Sequence, residues 1–418
     1  PPNIVAVTTA DMDAGIAKVR RLIAQHHNVV VIIPTGNTAL NAVMGYTGID
    51  AIRGSILSYT GCGEPIKVIP TIHPAQLLRG QEKKTFSCLH DWHRIKYEMN
   101  FRARRLPERT HLTFPNRTDI NDFVRRAQGA PYLAIDIEND KKTKELICCS
   151  FALSRHEGIV IPWEAKWQKD AIRTLCASAP QKVLQGGLFD AYRLAAEDCP
   201  IQNYVWDTLY MHHALCPRSR HSLAYLASIF TREPHWKDIA KEAGGYTVSA
   251  NREKFYRYAS LDAVVDYEIF ERLQKRLRAS GQLPFYLRHY AELLPILTAV
   301  GMHGISLDET ARQGKHQELS EQIEQTKTYL EQTTGTQFFG PKALSTKKTA
   351  AFLYDALRLP KRYGRPSAKK QIKALKTDEV TLRRLILRWP DTCLLHCMDK
   401  WKTIAKDKTL TVQQRNQA

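Results

Sequence analysis

Residues 132–138 read Tyr132-Leu133-Ala134-Ile135-Asp136-Ile137-Glu138, an apolar run that ends in two acids flanking one residue. Strand side chains alternate with a period of two, so Asp136 and Glu138 project from the same face. Two like charges that close repel unless cations neutralise them. A hard divalent ion with oxygen ligands does this, and Mg²⁺ is the usual choice beside phosphates. Taken alone, the pair fits a sheet edge with two solvated acids equally well. Outward from it, a helix is expected over Asp119–Gln128, and strands over Glu145–Leu153, Gly158–Pro162 and Lys182–Gln185. Helices continue from there to about Arg278. Strands first and helices later imply an α/β domain with a mixed sheet covered by helices.

Two more acids join the first pair. In Gln185-Gly186-Gly187-Leu188-Phe189-Asp190 a strand turns into a helix that carries Asp190. In Tyr258-Ala259-Ser260-Leu261-Asp262 the Tyr and Asp lie four apart in a helical pattern and share a face. A lone YxxxD is a weak motif that many surface helices contain; the set in this order carries the signal.

With these motifs, residues 113–282 resemble the DEDD exonuclease superfamily in its tyrosine-bearing branch, as found in the proofreading domain of family A DNA polymerases. Asp207-Thr208, Ser222-Leu223-Ala224-Tyr225-Leu226-Ala227 and Trp236-Lys237-Asp238 extend the likeness. The resemblance implies a ribonuclease H-like fold and two Mg²⁺ (or Mn²⁺) ions. It implies Asp136 as the bridging ligand, with Glu138 and Asp262 completing the site of one ion. Asp190 would hold the other largely through water, and Tyr258 would orient the attacking water. Core packing is the plainer reading of Tyr258. One departure stands out: the family often has Asn four residues before the second-motif Asp, where this chain has Gly186.

The 418 residues are too many for one ordinary core, so two or three domains are expected. The apolar content, 43%, is that of a globular protein. No apolar run reaches the roughly 18 residues of a membrane span. The opening Pro1-Pro2-Asn3-Ile4 has no initiator Met and no apolar leader, which argues against secretion and for a segment cut away upstream. Nine cysteines include no CxxC pair. Cys393, His396 and Cys397 form a weak metal trio at most, and the set reads as reduced core thiols of an intracellular protein. The net charge of +19 favours a polyanionic partner through phosphate contacts. It is concentrated in residues 341–418, which hold 19 Lys and Arg against 6 Asp and Glu.

Residues 1–112 alternate short apolar runs, Val29–Ile33 and Lys67–Ile72, with helical stretches, the pattern of a small α/β domain. His73-Pro74 comes directly after the second run, where α/β folds place ligands. With Arg53-Gly54-Ser55, the segment resembles the C-terminal half of the uracil-DNA glycosylase-like superfamily. The likeness implies that His73 bonds a flipped base and that the Leu77–Arg79 region, with Arg79, meets the duplex. The family's water-activating motif has no counterpart, so a DNA- or base-binding relic is expected rather than a working glycosylase. In a generic α/β domain, His73 would simply cap a helix.

Residues 283–418 are almost wholly helical in pattern, with Leu319, Ile323 and Leu330 on one face of Asp308–Thr333. Phe339-Gly340-Pro341-Lys342 and Phe352–Pro360 are similar to the stretch leading into the thumb of family A polymerases. The paired acids of a palm and the basic fingers helix have no counterpart, so this chain alone would not synthesise DNA, and any palm and fingers would lie outside it. Of residues 359–377, seven are basic: Lys361, Arg362, Arg365, Lys369, Lys370, Lys373 and Lys376. Beside a thumb they would grip the duplex backbone without reading sequence; otherwise they form a solvated linker.

The expected protein is a cytoplasmic, bacterial or phage 3′–5′ exonuclease acting on DNA ends, with no membrane attachment. Three other readings stay open: an RNA-trimming exonuclease of the same superfamily, a uracil-excision module and a catalytically idle DNA-binding module.

Overall fold

The computed structural model describes residues 9–26, 28–140, 143–236, 251–339, 345–364 and 375–388. Pro1–Ile4, Lys237, Asp238, Gly340–Leu344, Arg365, Lys369, Lys370, Lys373, Cys393, His396 and Cys397 lie outside the described residues. The chain divides into two compact units, Pro1–Gly304 and Ile305–Ala418.

The first unit begins with a three-stranded sheet of β1 (Val31–Ile32), β2 (Leu57–Tyr59) and β3 (Ile66–Val68), in the order β1-β3-β2. β1 runs parallel to β3 and β2 antiparallel to it. Helices α1 (Thr9–Gln25), α2 (Gly36–Met44), α3 (Ile49–Ile52), α4 (Pro74–Leu77) and α5 (Thr85–Glu98) accompany it. Its apolar clusters are small: Leu40, Ile49 and Ile52 form one, and Val43, Tyr59 and Val68 another. Buried charge-assisted hydrogen bonds join these first hundred residues to Ser228 and Thr231. Arg53, 3% exposed, donates to Asp91 Oδ2 at 2.8 Å and to Oδ1, and reaches Ser228 Oγ at 3.0 Å. Thr71 Oγ1 donates to the same carboxylate at 2.9 Å. Arg94 donates to Gly54 O at 2.6 Å and to Thr231 O at 2.7 Å.

The larger sheet of this unit is six-stranded and mixed: β4 (Thr110–Leu112), β5 (Tyr132–Asn139), β6 (Leu146–Ser154), β7 (Glu157–Pro162), β8 (Gln181–Leu184) and β9 (Tyr204–Asp207), ordered β4-β7-β6-β5-β8-β9. β5, β6 and β7 form an antiparallel meander, while β8 is parallel to β5 and β9 to β8. α6 (Arg117–Gln128), α7 (Lys166–Ala177), α8 (Leu188–Ala196), α9 (Thr208–Leu215), α10 (Leu223–Phe230) and α11 (Arg252–Ala279) cover it. The arrangement is ribonuclease H-like. Leu133, Ile135 and Ile137 of β5 pack with Ile120, Phe123 and Ile172 of α6 and α7 on one face. Ala134 packs with Tyr258 and Leu261 of α11 on the other. Where α11 crosses β7, Gly158 is required: an added Cβ would lie 2.5 Å from Ser260 Oγ and 2.7 Å from Val264 Cγ1. The sequence pattern omitted β4, β2 and β9, which are three or four residues long. α12 (Leu283–Tyr286) and α13 (Glu292–His303) close the unit.

The second unit contains α14 (Glu309–Thr334), α15 (Thr346–Ala351) and α16 (Glu379–Arg388) around Phe338, Phe352, Leu353, Tyr354 and Leu385. Of the expected stripe on α14, Leu330 packs against this cluster, whereas Leu319 and Ile323 are 47% and 54% exposed. A helical period fixes which residues share a face; it does not supply a partner for that face.

Replacing Arg53 with Ala leaves Asp91 as a buried, uncompensated carboxylate. The expected loss in urea unfolding is about 3–5 kcal/mol; an unchanged midpoint would show that the network does not hold the first hundred residues in place.

Candidate active site

Alternation along β5 sends Asp136 and Glu138 to the face that α11 covers, as the register of Asp136 with Ser150 and of Glu138 with Cys148 shows. α11 supplies Tyr258 and, one turn later, Asp262. One ligand oxygen from each of Asp136, Glu138 and Asp262 lies within 4.8 Å of the others, the one such group of metal-ligating side chains among the described residues. Glu138 and Asp262 are 8% and 3% exposed. Ligand bonds of about 2.0–2.6 Å give a similar span across a hard-cation site, so these all-oxygen donors fit a divalent ion. Tyr258 is buried in the same apolar cluster as Leu261 and Trp236. Trp236 adds a contact that no spacing rule revealed: its indole Nε1 donates to Asp262 Oδ1 at 2.6 Å.

Asp190 stands outside that trio, in the first turn of α8. Its approach is set by Asp207, whose Oδ1 accepts from the Gly186 N–H at 3.0 Å and the Leu209 N–H at 2.9 Å. Oδ2 accepts from the Gly187 N–H at 2.9 Å and from the Tyr204 hydroxyl at 2.5 Å. One carboxylate thus caps α9 and clamps the turn into α8. Tyr286, wholly buried, holds Asp207 in turn by accepting from its N–H at 2.8 Å and donating to Val205 O at 3.0 Å. Gly186 has a φ of +63°, in the left-handed region. Asn is among the few other residues that tolerate it.

Negative charge is crowded around this clamp. Burial and the Asp207 carboxylate push the Asp190 carboxyl up to about 8. Asp266, one turn beyond Asp262, is buried and accepts from Thr208 Oγ1 at 2.5 Å. Burial, and after it the nearby Asp207, Asp262 and Asp190, raises it well above the usual carboxylate range. Asp266 was not among the residues expected at the site; its only signal in the sequence was the four-residue step from Asp262. Across the ladder from Glu138, the Cys148 thiol is raised by burial and then by Glu138 and Asp136.

The residues singled out for nucleic acid come from other parts of the chain. His73 Nδ1 accepts from the Ala75 N–H at 3.1 Å, capping the four-residue α4 from an exposed position, and Arg79 is exposed just beyond. In the second unit, Lys361 lies 3.6 Å from Asp355 and Lys376 lies 3.7 Å from Asp378. The Lys376 N–H donates to Arg362 O at 2.8 Å, and Arg362 and Lys376 line one cleft with Arg384, a residue the sequence pattern did not single out.

An acid whose carboxyl is raised in the fold stabilises most when protonated, and that stability is lost as pH rises through the folded value. For Asp190 the loss accumulates from the ordinary value of 3.8 up to about pH 8. Asp190→Asn is therefore expected to raise the melting temperature in EDTA more at pH 9 than at pH 5.5. An equal shift at both pH values would contradict the crowding.

With this geometry in view, residues 113–278 match the 3′–5′ exonuclease family. No curated protein matches the sequence. Among solved structures, the polymerase domain of Pol1 from M. smegmatis, in complex with DNA primer-template and dNTP, is 15% identical with a TM-score of 0.40 over 69% of this chain and 47% of its own. Escherichia coli RNase D is 16% identical with a TM-score of 0.38 over 46% and 51%. Brucella melitensis NrnC is 16% identical with a TM-score of 0.35 over 48% and 95%. The chain thus spans about half the length of the first two. Residues 113–278 constitute a 3′–5′ exonuclease domain of the DEDD type.

Proposed function

We propose that this chain is a metal-dependent exonuclease that removes nucleotides from the 3′ end of DNA, in the manner of a proofreading domain next to a family A polymerase. The observation that carries the reading is the convergence of Asp136 and Glu138 from β5 with Asp262 from α11, each offering an oxygen within 4.8 Å of the others. Two Mg²⁺ (or Mn²⁺) ions, when bound, would neutralise these acids and stabilise negative charge on the attacking and leaving oxygens of a phosphodiester.

The protein's own groups then have separable tasks. Asp136, Glu138 and Asp262 would hold one ion, with Asp136 shared, and Asp190 would serve the other from the first turn of α8. The Tyr258 hydroxyl orients the attacking water, a positioning role worth roughly 10²-fold or more. Asp207 keeps Gly186 and Gly187 in the turn that aims α8.

The basic residues Lys361, Arg362, Arg365, Lys369, Lys370, Lys373 and Lys376 contact the phosphate backbone, as the concentration of positive charge in residues 341–418 supports. His73 and Arg79 give the first hundred residues a further, weaker DNA contact, in keeping with the glycosylase-like resemblance.

Two experiments test this. End-labelled single-stranded DNA should be shortened from its 3′ end with Mg²⁺ or Mn²⁺ and left intact with EDTA, and Asp136→Ala should abolish shortening while still binding DNA. Cleavage by that variant would refute the assignment, and an equally labelled RNA strand degraded faster than DNA would move the substrate to RNA. Separately, neutralising Lys361, Arg362 and Lys376 together should flatten the salt dependence of DNA binding by about 0.9 log unit per lost phosphate contact. An unchanged slope would remove the loop from the interface.

A further inference from the structure

Trp236 lies outside the acidic motifs, yet it touches one of them. Its indole is 3% exposed, and Nε1 donates to Asp262 Oδ1 at 2.6 Å inside the core. An indole N–H donates and never accepts, so the contact engages one oxygen of the Asp262 carboxylate. The carboxylate that offers an oxygen to the group with Asp136 and Glu138 is thereby tied to a fixed ring. Partners of this outer kind hold a ligating carboxylate in one orientation, and losing one costs roughly 10–100-fold in metal affinity.

Trp236 is itself held by the segment before it. The Thr231 hydroxyl donates to Ala227 O at 3.0 Å, and Thr231 O accepts from Arg94 at 2.7 Å. The Glu233 carboxylate accepts from Arg109 Nε at 2.9 Å, and the His235 N–H donates to Ser55 Oγ at 3.1 Å. Arg94 and Ser55 come from the first hundred residues. That part of the chain therefore reaches the acidic trio through residues 231–236, without contributing a carboxylate to it.

We infer that Trp236 is a positioning residue for metal binding: its indole N–H orients Asp262 toward Asp136 and Glu138, and the α/β segment at the start of the chain anchors it through Ser55 and Arg94. The inference rests on the exonuclease reading above and deepens it by adding a residue and a role for the first hundred positions.

Calorimetric titration of the full chain with Mn²⁺ tests it, comparing unmodified protein with Trp236→Phe, which keeps a ring and removes the donor. Affinity is expected to fall roughly 10–100-fold, and nuclease activity lost at limiting Mn²⁺ should return at saturating Mn²⁺, which a merely misfolded site would not allow. An unchanged affinity would overturn the inference. Where the variant does not fold, the ¹⁵N-labelled indole signal of Trp236 in unmodified protein decides: it should shift as Mg²⁺ binds, and a stationary signal during demonstrable binding would overturn the proposal. The two levels fail differently. Unmodified protein that takes up neither Mn²⁺ nor Mg²⁺ would bring down the exonuclease reading itself, whereas tight binding shared equally by Trp236→Phe would remove only the role of Trp236.

Discussion

Like charges held closer together than they would settle in water are the constraint on which residues 113–278 are built. The alternation of β5 and the four-residue step of α11 force carboxylates together, and the surrounding packing buries Glu138 and Asp262 and part of Asp136. Such an arrangement is unfavourable until something positive or a hydrogen-bond donor compensates it. Much of the local architecture serves as that compensation. The backbone N–H groups of Gly186, Gly187 and Leu209 point at Asp207, the Thr208 hydroxyl at Asp266, and the Trp236 indole at Asp262. Crowding of this kind is what a functional site imposes on its scaffold, and here β5 and α11 bear it together with the turn at Gly186–Gly187 and the segment 231–236.

The parts of the fold and site legible in the amino-acid order are those governed by periodicity. Asp136 and Glu138 on one face, Tyr258 and Asp262 on one helical face, and the central strands of the large sheet all repeat at short, regular intervals. β9 and β4 were invisible because runs of three or four residues carry almost no period. Asp266 and Trp236 escaped notice as site residues for a different reason: an acid within a helix looks like a solvated charge, and a lone tryptophan in a polar, charged stretch has no periodic pattern to place it. Only the packing of α11 against Thr208 and against the segment 231–236 gives them partners. On α14 the helical pattern grouped Leu319, Ile323 and Leu330, but it carried no information about what would cover them.

Gly186 shows how a departure from a family pattern can be read physically. The turn there needs a left-handed backbone, and glycine and asparagine are the residues that adopt it with least strain. Exchanging one for the other preserves the clamp by Asp207, because that clamp uses the backbone N–H. What disappears is a side-chain amide, and with it any contact that amide would have made. The scaffold of the second motif and its reach are thus set by different atoms of one residue.

The thiol of Cys148 shows a second effect of the same acids. It sits across the ladder from Glu138, close to a cluster that attracts cations, and a thiolate there would be a strong soft ligand for zinc. Burial and the very carboxylates it neighbours keep its proton in place, so no anionic sulfur is on offer. The acids that converge on this face thus also help to keep a neighbouring thiol neutral.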